Sequence, residues 1–369
     1  MTAIDWAASG RLDEYSFHLV DPATLVETGE TVDVLDGGTL TYATAAENRI
    51  AGKLTLSNAT TDRMVRVKHV ITLPGGFQFG ETLATLYVDG DSADARYRHV
   101  SRDTSLYSPL LHVTQDVAPS DFSRPAGTNI LGEIRDLVGD GGGKVRALPG
   151  LDEDMKHTVP VWWEVGTSKA EILSDLALWC GCELGVDVEG YITWGPYTPP
   201  SKRPISYVFD DGDACVYTSG YSLDHAVGDS CNRVVAHFAR QSKQDDPSKE
   251  NYDPFPLSDS TFVDLPASHP YSYERLGRRK SYDLKVNDPC DHKSLAAMAQ
   301  RKLDELSRSD PVIVIEHASV PGLREGCVVQ YVNGTDPHMA DVYSVLAVVE
   351  EISMTLGPGC MCKTKLRCI

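Results

Sequence analysis

The sequence has no long apolar run. No stretch approaches the ~18 consecutive apolar residues of a membrane-crossing helix, and no membrane insertion is expected. Residues Met1 to Arg11 hold no basic segment followed by an apolar core, so no secretory signal is read there. Positive charge is also scarce. The chain carries 34 Lys and Arg against 53 Asp and Glu, a formal charge of -19. Such a surface repels phosphate and argues against sequence-independent gripping of DNA or RNA.

Cysteine pairing is absent as a pattern. Nine cysteines, an odd number, cannot all pair within one chain. Cys215 and Cys327 stand in Ala-Cys-Val and Gly-Cys-Val-Val contexts, where a small buried apolar residue would serve. Cys180-Gly-Cys182 and, in the tail cluster Cys360, Cys362 and Cys368, the pair Cys360-Met-Cys362 have a C-x-C spacing tighter than the pairs of structural zinc sites. Reduced, partly buried thiols are therefore the expectation.

The motifs of common chemistries are missing too. There is no Gly-x-Ser-x-Gly elbow and no His-x-x-x-His pair on a helix. Gly141-Gly142-Gly143-Lys144 invites a phosphate-loop reading, but its spacing is wrong and its glycines end a helix where a phosphate loop opens one. Asp152-Glu153-Asp154 and Asp210-Asp211-Gly212-Asp213 are turn-like acidic clusters that do not match a twelve-residue calcium loop. The histidines, among them His69, His99, His157, His225, His237, His292 and His317, are scattered. No catalytic, cofactor-binding or metal-ligating residue is assigned, no cofactor is expected, and the chain is read as a non-enzyme. The rival readings are a cell-wall polysaccharide hydrolase, with two carboxylates flanking a sugar, and a sugar-binding tail module. Trp162-Trp163 would be the binding element of the latter, with packing as its plainer role.

What the sequence does contain is a folded, mainly β composition, 41% hydrophobic and 24% charged over 369 residues, long enough for several domains. Residues 1–118 alternate apolar and polar positions in Leu40–Ala43, Gly52–Ser57, Met64–Ile71 and Thr85–Val88. Asp36-Gly37-Gly38, Pro74-Gly75-Gly76 and Asp89-Gly90-Asp91 are read as the turns between such strands, which predicts an N-terminal barrel or sandwich. Residues 119–200 form a helix and hairpin domain. Thr128 is placed as the cap of a helix carrying Ile130, Leu131, Ile134, Leu137 and Val138 on one face. Thr167 or Ser168 caps a second helix with Ile172, Leu173, Leu176, Leu178 and Trp179, and Gly181 stops it. A hairpin then turns at Glu189-Gly190. Residues 201–369 are read as a second barrel-like domain with a polar loop over 241–270 and an amphipathic helix over 294–307. The fold class is thus α+β, mainly β.

Two stretches taken together carry a resemblance. One is the capped helix and hairpin from Gly166 to Pro200, ending in Leu-Gly-Val-Asp-Val-Glu-Gly-Tyr-Ile-Thr-Trp-Gly-Pro-Tyr. The other is Leu276-Gly-Arg-Arg-Lys-Ser-Tyr-Asp, the 294–307 helix, Val320-Pro-Gly-Leu-Arg-Glu-Gly-Cys-Val-Val-Gln-Tyr and the strand from Tyr343. In this order they resemble the tail hub, or baseplate hub, proteins of long-tailed bacteriophages and prophages. One departure is Cys327, where that family usually has Asp after the glycine. The resemblance implies two barrel-like tube domains per chain and a homotrimeric ring. The ring would join the tail tube or distal tail protein to tip or fibre proteins and surround a passage for tape-measure protein and DNA, which passes without specific binding. It also implies residence in the virion tail after assembly in the host cytoplasm, and it carries over no catalytic residue.

Overall fold

The computed structural model describes residues 4–44, 46, 48–57, 63–96, 99–120, 122–140, 142–211, 216–224, 231–239, 254–286, 289–307, 312–334 and 344–369. Strand periodicity governs the N-terminal part: in Met64–Thr72 the residues Val65, Val67, His69 and Ile71 are buried while Arg66, Lys68, Val70 and Thr72 are half-buried. The strands here are β1 (Leu12–Asp21), β2 (Val26–Thr31), β3 (Val34–Ala43), β4 (Ile50–Leu56), β5 (Met64–Thr72), β6 (Gln78–Arg96) and β7 (His99–Tyr107). Pro74-Gly75-Gly76 makes the β5–β6 turn, with Leu73 N–H donating to Phe77 O. The other two glycine sites are bulges within strands, not turns. β6 runs straight through Asp89-Gly90-Asp91 with a register shift there, and Gly90 takes up the extra residue at φ +70°. β3 likewise shifts register on either side of Asp36.

The middle of the chain holds α1 (Leu111–Thr114), β8 (Phe122–Arg124), α2 (Ile130–Asp140), β9 (Val145–Ala147), β10 (Val161–Trp163), α3 (Lys169–Trp179), β11 (Cys182–Val186) and β12 (Ile192–Pro196). The apolar stripe expected for α2 and Ile172, Leu173 and Leu176 of α3 are buried in one core with Trp163 and Trp194. Leu178 and Trp179 are instead half-buried and pack against the core that holds Leu295 and Leu303. The cap of α2 is Asn129, not Thr128: Asn129 Oδ1 accepts from Gly132 N–H at 2.7 Å, while Thr128 Oγ1 turns back to Pro125 O. β11 and β12 form the expected hairpin. Its tip docks on the N-terminal sheet, where Thr85 Oγ1 donates to Val188 O at 2.8 Å and Arg66 donates to Glu189 O.

The remaining elements are β13 (Ile205–Phe209), β14 (Tyr217–Asp224), β15 (Arg233–Ala239), β16 (Ser258–Asp264), α4 (Tyr273–Leu276), β17 (Ser281–Lys285), α5 (His292–Leu306), β18 (Val312–Ala318), β19 (Val328–Val332), β20 (Ser344–Leu356) and β21 (Met361–Cys368). Within the expected 241–270 loop, residues 241–253 lie outside the described residues. Ser258–Asp264 is a strand paired with β15 over seven positions. β15 buries Val234, Ala236 and Phe238 beneath Leu295, Met298, Ala299 and Leu303 of α5, and β16 and β17 flank it as polar edges. α5 starts two residues before the expected 294, because Asp291 caps it through Ser294 N–H.

The two halves of the chain are not two separate barrels. They share one 13-stranded sheet with the path β2-β1-β5-β6-β7-β4-β3-β20-β21-β18-β14, and β13 and β19 are attached through β20. β20 crosses from one half to the other by pairing β3 from Glu351↔Ala43 to Leu356↔Gly38. Leu40, Tyr42 and Leu54 from one half share a core with Ile313, Val349, Met354 and Leu366 from the other. Among the described residues no barrel closes: the sheet ends in the free edges of β2 and β14. The expected pair of barrel-like domains is thus merged through β20, which pairs β3 as well as β19 and β21.

Candidate functional site

The densest cluster of chemistry-bearing side chains lies at the seam between the halves. Across β1, β5 and β6 the register aligns Tyr15, His69 and Glu81 in a row on the inner face. Tyr15 stacks on His69 with ring centroids 4.7 Å apart and planes 6° from parallel. His69 Nε2 lies 2.7 Å from Asp13 Oδ1, and its Nδ1 lies 3.8 Å from Glu81 Oε1. Arg11 binds Asp13 at 2.6 Å and donates to Trp6 O and Ser319 O. From the C-terminal half, Gly359 N–H donates to Asp13 Oδ2 and Gly322 N–H donates to Glu81 Oε2. Arg324 completes the set, 3.5 Å from Glu81 and over the Tyr42 ring.

These partners set the charges. Burial opposes a charged His69, but the bond to Asp13 and the neighbouring Glu81 outweigh it and raise its pKa to about 9. Burial also opposes the charged carboxylates, yet His69 with Arg11 lowers Asp13, and His69 with Arg324 lowers Glu81. Cys360 is drawn down to about 7, first by a hydrogen bond from Cys362 and, against burial, by Tyr15 and the His69 charge. Cys362 is pushed up by the same bond.

By residue type, Cys360, His69 and Asp13 match a thiol, an imidazole and a carboxylate. A reacting substrate must come within ~3–3.5 Å of a nucleophile. The side chains of Asp13 and His69, and all of Cys360, have no solvent exposure. The arrangement can hold charge and fasten loops, and it offers no substrate a way in. A second junction ties the middle unit to both other cores. Tyr197 lies under the Arg301 guanidinium at 4.2 Å, and Arg301 donates to Cys182 O. Arg203 links Glu183 to Gly326 O.

The residues singled out in the sequence are dispersed. Trp162 and Trp163 face opposite ways: Trp163 is buried with Nε1–H donating to Asp175 at 2.9 Å, and Trp162 is 53% exposed. Asp152 caps its own turn through Asp154 N–H, and Asp211 accepts from Gly334 N–H; Gly212 and Asp213 lie outside the described residues. So do Gly141, Cys215 and His225. His157 bonds buried Glu133 at 2.5 Å and stacks on Trp179. His237 and His292 pair with Asp283 and Asp259 at the surface. Cys360, Cys362 and Cys368 are buried. Among the described residues no group of three or more His, Cys, Asp and Glu is placed to hold a metal. A groove of about 430 Å³ beside α2, lined by Phe122, Arg124, Arg135, Asp136 and Asp140, opens to solvent.

The seam residues Arg11, Asp13, Tyr15, Glu81 and Arg324 had no local motif to reveal them. The one available signal was His69, a titratable residue in the inward register that β5 otherwise fills with Val65, Val67 and Ile71.

No protein-family model matches the sequence, and no curated protein matches it. Solved structures do share its fold. A tail protein from Neisseria meningitidis MC58 superposes with TM-score 0.65 at 10% identity, covering 96% of each chain. The 43 kDa tail protein of prophage MuSo2 from Shewanella oneidensis gives 0.60 at 14% identity, over 96% of this chain and 98% of that one. Prophage tail protein gp18 from Listeria monocytogenes EGD-e gives 0.54 at 9% identity, over 95% and 94%. The chain therefore has the fold of phage and prophage tail proteins along nearly its whole length.

Proposed function

We propose that this chain is a non-enzymatic hub subunit of a phage-type tail, a structural piece that three copies assemble into a ring between the tail tube and the tip or fibre proteins. The observation that carries the reading is the end-to-end sharing of fold with tail proteins, 96% of both chains for the Neisseria protein. The seam supports it, since the Asp13 and His69 side chains are sealed from solvent and Asp13 and Glu81 are bonded to loops of the opposite half. The ring surrounds a passage for tape-measure protein and DNA. A chain charged at -19 presents mostly carboxylates, which keep a phosphate polymer from sticking to the wall.

Native mass measurement of the purified chain, with electron microscopy of assembled tails, tests this reading. A mass three times that of the chain and a three-fold ring at the tube end are expected. A dimer or a permanent monomer in the particle overturns it, as does turnover of cell-wall polymer by the chain. Exposed Trp162 favours a second reading, a sugar-binding tail module. Glycan binding that is lost in Trp162→Ala would establish it.

A further inference from the structure

The carboxylate surplus makes unpaired arginines the exception in this protein. Arg11, Arg63, Arg66, Arg146, Arg203, Arg233, Arg301, Arg324 and Arg367 each have a carboxylate within ion-pair distance. Arg275 in the last turn of α4 and Arg278 and Arg279 just beyond it are exposed and form no ion pair with a described residue. Asp264, whose carboxylate also feels the Arg279 charge, is already held by Arg233 at 2.5 and 2.6 Å. Within residues 273–282, Tyr-Glu-Arg-Leu-Gly-Arg-Arg-Lys-Ser-Tyr, Glu274 is the only acid.

The turn is held in place. Buried Asn232 accepts from Lys280 N–H at 2.8 Å and donates to Arg278 O at 3.0 Å, clamping the loop from both sides. Gly277, at φ +66°, closes α4 through Tyr273 O, and Ser272 Oγ bonds Ala267 O. Tyr273 is 44% exposed with the Arg279 guanidinium 4.6 Å from its ring. Exposed Tyr and Arg on a fixed backbone lose little freedom on docking, which is the composition of interface anchors.

We propose that this arginine turn is a docking surface for a carboxylate-rich face of a second copy of the chain. The chemistry favours that occupant because the chain carries 53 acids against 34 bases, so a second copy supplies the complementary charge. In the proposed ring the contact is head-to-tail: the arginine turn of one copy meets a different, acidic patch of the next, and the ring forms where the rotation closes. The inference rests on the proposed ring and identifies which surface builds it.

The test is sedimentation velocity of the full chain at low and high salt, for the wild type and for the triple variant Arg275→Glu, Arg278→Glu, Arg279→Glu. These residues are exposed, and unchanged thermal unfolding checks that the variant folds. Self-association of the wild type that weakens with salt, and is about tenfold or more weaker in the variant, is the expected result. Replacement of the three by Lys retains it in part. A variant that assembles like the wild type removes the arginine turn from the interface and leaves the ring reading standing. A wild type that is monomeric at every concentration removes both. A fluorescent DNA oligonucleotide is the control: binding lost in the variant while assembly is unchanged makes the turn a nucleic-acid surface and overturns the proposal.

Discussion

His69 and His317 are buried in opposite halves of one sheet, and they hold opposite charge states at neutral pH. His69 sits between Asp13 and Glu81 and is raised to about 9, so it carries a proton. His317 Nδ1–H donates to Ala318 O and its Nε2 accepts from the Thr364 hydroxyl, at 2.7 Å each, and burial lowers its pKa to about 4. The difference teaches that burial alone does not decide the state of a histidine. The neighbouring carboxylates do, and here they mark where charge was placed to cross-link the two halves.

Breaking the charged side of this comparison has the largest expected effect. Asp13→Ala removes the acceptor shared by His69, Arg11 and Gly359 N–H. Stranding two buried cations costs about 3–5 kcal/mol, read as a lower urea midpoint at unchanged slope. A loss under about 1 kcal/mol would mean that the seam is a passive feature of the fold.

Next comes the apolar part of the same seam. Leu40 faces Met354 across the β3–β20 ladder, and both are buried. Leu40→Ala should cost about 2–5 kcal/mol. Because the halves share one core, amide exchange in β5 and β18 should accelerate by the same factor. Acceleration confined to β5 would show the halves to be independent units.

The pH profile sharpens the contrast directly. Free histidine titrates near ~6.5. His69, raised to about 9, stabilises the fold fully below ~6.5, and that stability is lost as pH rises toward 9. His317, depressed to about 4, contributes above ~6.5, and that stability is lost as pH falls toward 4. Each limb amounts to about 3 kcal/mol at most. Lowered Asp13 and Glu81 add loss only at pH below the ordinary carboxylate range. Cys360, lowered to about 7, gains stability over the same alkaline window and offsets part of the His69 loss. The acid limb is therefore the steeper one, with His317→Gln flattening it and His69→Gln removing the alkaline loss. An alkaline limb that survives His69→Gln would show that His69 is neutral.

The contrast between fold and site extends to what could be read beforehand. Helix faces were legible because Leu173, Leu176, Leu295 and Leu303 recur at a helical period that survives in any surroundings. β16 was hidden because Ser-Asp-Ser-Thr-Phe-Val-Asp is polar at an edge, and it is a strand only because β15 needs a neighbour beneath α5. Asp89-Gly90-Asp91 looked like a turn because a glycine at positive φ serves a bulge equally well. The seam was the least legible. Asp13, His69, Glu81 and Arg324 meet only after β1, β5 and β6 pair and the C-terminal half folds against them. Periodicity showed which way His69 points and gave no information about what it meets.

The smallest effect concerns a choice that the sequence left open, Thr167 or Ser168 as the cap of α3. In the structure Ser168 has the extended backbone of a cap, φ -66° and ψ 143°, and its side chain accepts from Glu171 N–H at 3.1 Å. Thr167 stands one residue earlier, and its carbonyl accepts from Ala118 N–H at 2.9 Å, a backbone bond that any residue can make. Ser168→Ala therefore removes a partner from one of the unsatisfied N–H groups of the first turn and should cost about 1 kcal/mol. Thr167→Ala leaves that bond intact and should change stability by no more than about 0.5 kcal/mol. Ser168→Asp should recover most of the loss, because a carboxylate caps the same N–H and favours the positive end of the helix. Equal losses for Thr167→Ala and Ser168→Ala in urea unfolding would assign the cap to neither side chain.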